Sequence, residues 1–170
     1  MTKCIAEPLS RREIRKMAQK IRRIEDSVNN LYFDIVHFLE CTLPKIDPSF
    51  TFTVKPVSEM GECHGLTYPD KNEIVIREDV YLRACNGEGR DRLTMAHELF
   101  HLLQHESSNI SFARMGNGTI ETFRDPEWQA DAFGGELLVP YHLISGMTVD
   151  EITDTCKVSK KAAAYQLSKY

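Results

Sequence analysis

Apolar positions between residues 10 and 24 recur at helical spacing, with Ile14, Met17, Ala18, Ile21 and Ile24 falling on one face. Ser10 and Glu13 form an S-x-x-E capping box ahead of this stripe, and Leu9 can clasp Ile14 across it as a hydrophobic staple. Leu31, Tyr32, Ile35, Phe38 and Leu39 predict a second helix, stopped by Pro44. The period then changes. "TFTV", residues 51–54, alternates as a strand does, and "GLTYPDKNEIVIR", residues 65–77, predicts a hairpin that turns at Pro69–Asp70 with Ile74 and Ile76 on one face. Helical spacing returns in "LTMAHELFHLLQH", residues 93–105, where Leu93, Met95, Ala96, Leu99, Leu102 and Leu103 follow Asp91 as an expected N-cap. "DPEWQADAFGGELLVP", residues 125–140, predicts a further helix with Asp125 as N-cap, Pro126 in its first turn and Pro140 at its end.

Short strands among many helices predict an α+β fold, mainly helical, with a small antiparallel sheet. Residues 1–146 are expected to form one domain, with its two histidine- and acid-bearing helices at about 92–105 and 126–138. Residues 147–170 suggest a tail of two short helices packed on that domain, capped by Thr148 and Ser159 and spaced like a helix-turn-helix. The connection 106–126 is long for a structureless loop, and Asn117–Gly118 suggests a small hairpin or lid there.

The helix at 93–105 carries His97, Glu98, His101 and His105. Positions i and i+4 share a face, so His97 and His101 can converge on one ion in an H-E-x-x-H pattern. Glu98 lies beside them, where it can take a proton from an activated water. His105 stands two turns from His97, roughly 12 Å along the axis, which is too far for one ion with bonds of about 2 Å. It is expected to be structural or to support a ligand. The third ligand should then come from the next helix, where Glu127 lies in the first turn and small residues on its side permit close approach. Glu127 would complete a His/His/Glu set with a fourth position open for water, as in catalytic zinc sites. Asp131 is placed to accept the outer N–H of a ligating histidine. Zinc is the expected ion, and manganese is compatible with the same ligands. Tyr141, His142, Tyr68 and Arg124 are candidates for stabilising an oxyanion or binding substrate, and the sequence does not choose among them.

Composition narrows the setting. A hydrophobic content of 42% and a charged content of 27% are those of an ordinary globular protein, and no apolar run approaches the ~20 residues of a membrane span. Five cysteines without a C-x-x-C pair do not form a disulfide framework, and "MTKCIAEPLSRRE" lacks the apolar core of a signal peptide. A reduced, cytoplasmic protein is expected, with Cys63 and His64 structural. The net charge of −4 argues against broad nucleic-acid affinity. Arg11, Arg12, Arg15, Lys16, Lys20, Arg22 and Arg23 are expected to cover a solvated face of the first helix. Residues 148–170 carry four lysines against three acids, a net of +1, so direct DNA binding by the tail is not expected and packing or substrate docking is. The short apolar strand before the histidine helix is expected at the rim of a cleft, where an extended segment could pair with it.

"RDRLTMAHELFHLLQH" followed by "DPEWQADAFGGELLVP" resembles the ImmA/IrrE family of metallo-endopeptidases, and the similarity runs through "IVHFLECTLP", "HGLTYPDKNEIVIREDVYLRACNGEGRDR", "SFAR" and "CKVSKKAAAYQL". The resemblance implies a zincin-like fold, metal ligands at His97, His101 and Glu127, and a general base at Glu98. It also implies a protein substrate, typically a helix-turn-helix repressor encoded beside the protease on a prophage or mobile element. Phe100 stands where the family usually has glycine, and Gly134 where it usually has alanine. Phe100 is expected to add bulk near the site, and Gly134 to weaken its helix by about 1 kcal/mol. The competing expectation is a regulatory or toxin–antitoxin partner that keeps the metal-binding fold but acts by binding. A retained Glu98 weighs against it, because a purely structural site has no use for a base.

Overall fold

The computed structural model describes residues 2–104, 110–114 and 119–170. Strand β1 (Thr2–Ala6) leads into helix α1 (Arg11–Ile24), followed by α2 (Ile35–His37), a π-helical turn (Phe38–Thr42) and α3 (Leu43–Ile46). Next come β2 (Thr51–Lys55), α4 (Val57–Met60), β3 (Gly65–Tyr68), β4 (Glu73–Arg77) and α5 (Glu78–Cys85). The long helix α6 (Gly89–Gln104) precedes β5 (Ile110–Arg114), α7 (Pro126–Leu138), α8 (Val149–Cys156) and α9 (Lys160–Leu167). The architecture is α+β and mainly helical. Among the described residues no helix is long and apolar enough to cross a membrane.

The capping pattern is local and folds as the sequence predicts. Ser10 accepts from the Glu13 N–H while Glu13 reaches back to Ser10, and Thr148 and Glu151 do the same for α8. The second helix departs from expectation. It starts only at Ile35, capped by Asp34, and Pro44 lies inside α3 instead of ending it. The preceding π-helical turn accommodates the proline. The Leu43 N–H bonds back to Phe38 O, five residues away, and this wider turn relieves the clash a proline ring makes with a regular helix. Likewise α6 begins at Gly89, before the expected cap Asp91, which lies in the first turn in a two-pronged ion pair with Arg83 (2.9 and 3.0 Å). Glycine is required at 89, because a Cβ would stand 2.5 Å from the backbone of Val158 and Ser159.

The principal sheet has three strands in the order β2-β4-β3 and is mixed, which corrects the expected antiparallel sheet. β3 and β4 pair as the predicted hairpin, turning through Pro69–Lys71 and a left-handed Asn72, whereas β2 runs parallel to β4. The chain crosses from β2 through α4 and β3 before β4 inserts between them, so the last strand becomes the central one. Ile74, Val75 and Ile76 are all buried as a result, the continuous apolar run typical of a strand covered on both faces. β4 is hydrogen-bonded on both edges and cannot take up a further strand. The strand that flanks the histidine helix is β3, at the sheet edge. A second, two-stranded antiparallel sheet joins β1 to β5. The first half of the hairpin expected at 106–126 therefore pairs with the amino-terminal strand, residues 119–121 form no strand, and Asn117–Gly118 lies outside the described residues.

Helix α7 packs between α6 and α1, and Ile14, Ala18, Met95, Leu99, Phe133 and Leu137 fill the space between them. The basic positions of α1 are not all solvated. Arg22 is 1% exposed and donates to the carbonyl oxygens of Leu137 (2.8 Å), Ser27 (2.9 Å), Asn30 (2.6 Å) and Leu31 (3.2 Å). Those four acceptors satisfy a cation that would otherwise be expensive to bury, and Ile24 turns outward instead. Burial still pushes the Arg22 guanidinium down to about 10. Arg92 of α6 plays the same part from the other side, donating to Cys156 O (2.7 Å), Lys157 O and Phe33 O. Helices α8 and α9 bury Ile152, Cys156, Ala163 and Gln166 against this frame.

Candidate metal centre

Helix α6 presents His97 and His101 one turn apart with Glu98 beside them, and α7 brings Glu127 from its first turn. The two Nε2 atoms lie 2.9 Å apart. Glu127 Oε2 is 3.2 Å from the first and Oε1 is 3.5 Å from the second. Ligands bonded at about 2.0–2.1 Å to a tetrahedral zinc stand roughly 3.3 Å from one another, so these separations fit such an ion. Among the described residues, His97, His101 and Glu127 are the one group of three or more potential ligands that converge in this way.

Asp131 lies one turn beyond Glu127, and its Oδ1 is 2.8 Å from His97 Nδ1. That contact assigns the Nδ1 proton to His97 and leaves its Nε2 lone pair aimed at His101. Two imidazole nitrogens facing at such a distance need a proton or a metal ion between them. Without metal, burial pulls the His97 imidazolium down, but the hydrogen bonds to Asp131 and Glu127 outweigh it and raise its pKa to about 10. The histidine side chains are 18% and 17% exposed, whereas Glu127 and Asp131 are 68% and 69% exposed, so the carboxylates form the open wall.

Close approach of α6 and α7 depends on the small side chains of α7. A Cβ at Gly134 would stand 2.7 Å from Leu93 Cδ1 and 3.7 Å from the Ala96 methyl group. Gly134, expected to weaken its helix but also one of the small residues expected to permit close approach, faces Leu93 and Ala96 of α6. Phe100 is fully buried and packs on Phe133 with ring centroids 5.0 Å apart. It points into the core and does not line the metal cavity, contrary to the expected bulk near the site.

Glu98 is buried on the side facing the sheet, and burial raises its pKa while Thr67 and His97 lower it. A cavity of about 400 Å³ is lined by His97, Glu98, His101, Glu127 and the β3 residues Gly65 to Thr67. A second of about 400 Å³ shares Gly65, His97 and Glu98 and extends past His64, Glu62 and Arg90. The cleft therefore continues on both sides of the His97–Glu98 pair, and His64, expected to be structural, lines it. A larger groove of about 480 Å³, between Leu9, Phe123 and Trp128, contains none of these residues.

The four candidates for oxyanion or substrate contact do not gather at this cleft. Tyr141 and His142 follow the far end of α7, where Tyr141 stacks on Tyr170 and His142 meets Val28 O at 2.7 Å. Arg124 precedes α7 and faces Glu121 at 3.6 Å. Tyr68 ends β3 between Thr67 and Pro69, which both line the cavity. His105 lies outside the described residues. Gly65 and Thr67 went unnoticed in the sequence; strand alternation could have placed them on one face, but nothing local shows that this face meets Glu98.

An H-E-x-x-H helix joined by a glutamate from a second helix, beside an edge strand, defines a metallopeptidase-type domain. The chain belongs to the Peptidase M78 family, whose IrrE N-terminal-like domain matches residues 55–168. No curated protein matches the chain. Among solved structures it is similar to a Mycobacterium tuberculosis transcriptional regulator, with a TM-score of 0.58 and 13% identity over 95% of this chain and 52% of that one. The chain thus spans about half the length of that structure, and the likeness is one of fold.

Proposed function

We propose that this chain is a cytoplasmic, metal-dependent endopeptidase in which residues 1–146 form the peptidase domain and 147–170 a tail packed on it. His97, His101 and Glu127 would hold the ion, zinc or alternatively manganese, and Asp131 would fix the His97 tautomer. Zinc bound there supplies a Lewis acid that polarises a scissile carbonyl and makes water acidic enough to attack it near neutral pH. Glu98 takes the proton of the attacking water and delivers it to the leaving amine. Burial suits it to this work, because a raised pKa brings a carboxyl closer to the operating pH. Edge strand β3 is available to align an extended protein substrate across the cleft. The family resemblance points to a helix-turn-helix repressor of a prophage or mobile element as that substrate.

The observation that carries this reading is the buried Glu98. It lines the same cavity as the three-residue group but supplies no atom to it. Glu98→Gln is nearly isosteric, so metal content and fold should be retained while repressor cleavage falls by at least about 10²-fold in a gel time course. A second reading, a non-proteolytic regulator, draws on the helix-turn-helix-like α8–α9 pair and on the fold shared with a transcriptional regulator. It gains if the wild-type protein binds the repressor uncut and Glu98→Gln relieves repression equally well.

A further inference from the structure

Two residues of β3 touch Glu98 directly. Alternation along a strand puts Gly65 and Thr67 on the same face, and that face is turned to α6. Thr67 Oγ1 lies 2.6 Å from Glu98 Oε2 and 3.0 Å from the Glu98 main-chain oxygen. The hydroxyl has one proton, so it donates to the carboxylate oxygen and keeps the carbonyl as a second acceptor within reach. Gly65 lies over the other side of the same side chain. A Cβ there would stand 2.7 Å from Glu98 Cγ and 3.0 Å from both Cδ and Oε1. A real side chain at 65 could not coexist with Glu98 in this position, and the far end of Glu98 would have to move.

We propose that Gly65 and Thr67 form a cradle that holds the Glu98 carboxylate in one position, with Thr67 anchoring Oε2 and Gly65 leaving the space in which Oε1 faces the cleft. Both are positioning residues that act through Glu98. Threonine suits the task because its branched Cβ restricts χ1, so the hydroxyl is already aimed before Glu98 arrives. A base must lie within hydrogen-bond reach of the proton it removes, and a displacement of about 1 Å can cost about 10²-fold in rate. The catalytic meaning of the cradle rests on the endopeptidase reading; its geometry does not.

The test compares crystal structures of the zinc-loaded full chain as wild type, Thr67→Ser, Thr67→Val and Gly65→Ala. It adds kcat and KM for each on the best-cleaved member of a random peptide library about ten residues long. Thr67→Ser should keep the Glu98 carboxylate where it is. Thr67→Val should free Oε2 and let the carboxylate rotate, and Gly65→Ala should displace it, while His97, His101, Glu127 and zinc content stay unchanged. In both disruptive variants kcat should fall at least tenfold, with KM altered less than about twofold. Thr67→Ser should retain most of the wild-type kcat. An unmoved Glu98 in Thr67→Val and Gly65→Ala overturns the cradle, as does an unchanged kcat beside a displaced carboxylate. If the carboxylate moves as described but wild type cleaves neither a library peptide nor the repressor, the endopeptidase reading falls and the cradle stands.

Discussion

The two ends of helix α7 carry carboxylates in opposite circumstances. At its start, Glu127 and Asp131 are about two-thirds exposed and face two histidines across an open cavity. Near its end, Glu136 has a side chain 0% exposed and is enclosed by Arg11 (2.9 Å), Arg15 (3.0 Å) and the Tyr170 hydroxyl (2.5 Å). Gln166 ties the same cluster together, accepting from Arg11 at 2.6 Å and donating to Tyr170 at 3.0 Å. The buried carboxylate has its positive charge supplied by the chain, so it joins α1, α7 and the carboxyl-terminal segment. The exposed pair faces the imidazoles of His97 and His101, whose nitrogens can bind a proton or a metal ion. The same residue type joins elements where guanidiniums enclose it, and stands among potential metal ligands where histidines face it.

This contrast can be broken from either side. The largest effect is expected from Glu136→Gln, which leaves two guanidiniums without their buried partner. The loss should be about 3 kcal/mol, the lower part of the range for a broken buried pair, because both arginines keep some contact with water. Thermal melting should shift by on the order of 10 °C, and zinc affinity should not change. Unaltered melting would show the cluster to be dispensable.

Glu127→Gln should do the reverse. Zinc affinity should fall by more than about 10²-fold, beyond the 10–100-fold typical for losing a group that only supports a ligand, while melting of the metal-free protein changes little. Asp131→Asn should fall within that 10–100-fold range, since it acts through His97. Competition with a chromophoric chelator measures both variants. Equal affinity for wild type and Glu127→Gln would remove Glu127 from the ligand set.

The smallest effect concerns pH. In metal-free protein the folded-state pKa of His97 is raised from 6.5 to about 10. Its protonation therefore favours the folded state in full below about pH 6.5, and this contribution is lost as pH rises towards and through about 10. Because Asp131 and Glu127 are largely exposed, solvent screening keeps the effect small. Melts of chelator-treated protein should decline more steeply over this window in wild type than in His97→Gln. Parallel curves would show that the imidazolium contributes nothing.

How much was legible in advance follows from the range of each interaction. Helices α1, α8 and α9 could be read with their caps, because Ser10, Glu13, Thr148, Glu151 and Ser159 act within one turn of themselves. The convergence of His97 and His101 was equally local, being fixed by 3.6 residues per turn. The mixed sheet was not, because a parallel pair leaves no hairpin signal between its strands. The burial of Arg22 was hidden for a similar reason: its acceptors include Leu137 O, 115 residues away, so its charge looked like one more solvated position.

By itself, then, the sequence determined the capped starts of α1, α7, α8 and α9, and that two imidazoles and a carboxylate share one turn of helix. Only the tertiary structure decided that Glu127 stands within 3.5 Å of both histidines, that Asp131 meets His97, and that Gly65 and Thr67 enclose Glu98. Local periodicity places a side chain on a face of its own element. Which face of which other element it meets depends on how close two backbones can come, as at Gly89, where a Cβ would meet the backbone of Val158 and Ser159, a contact that appears only when the elements touch.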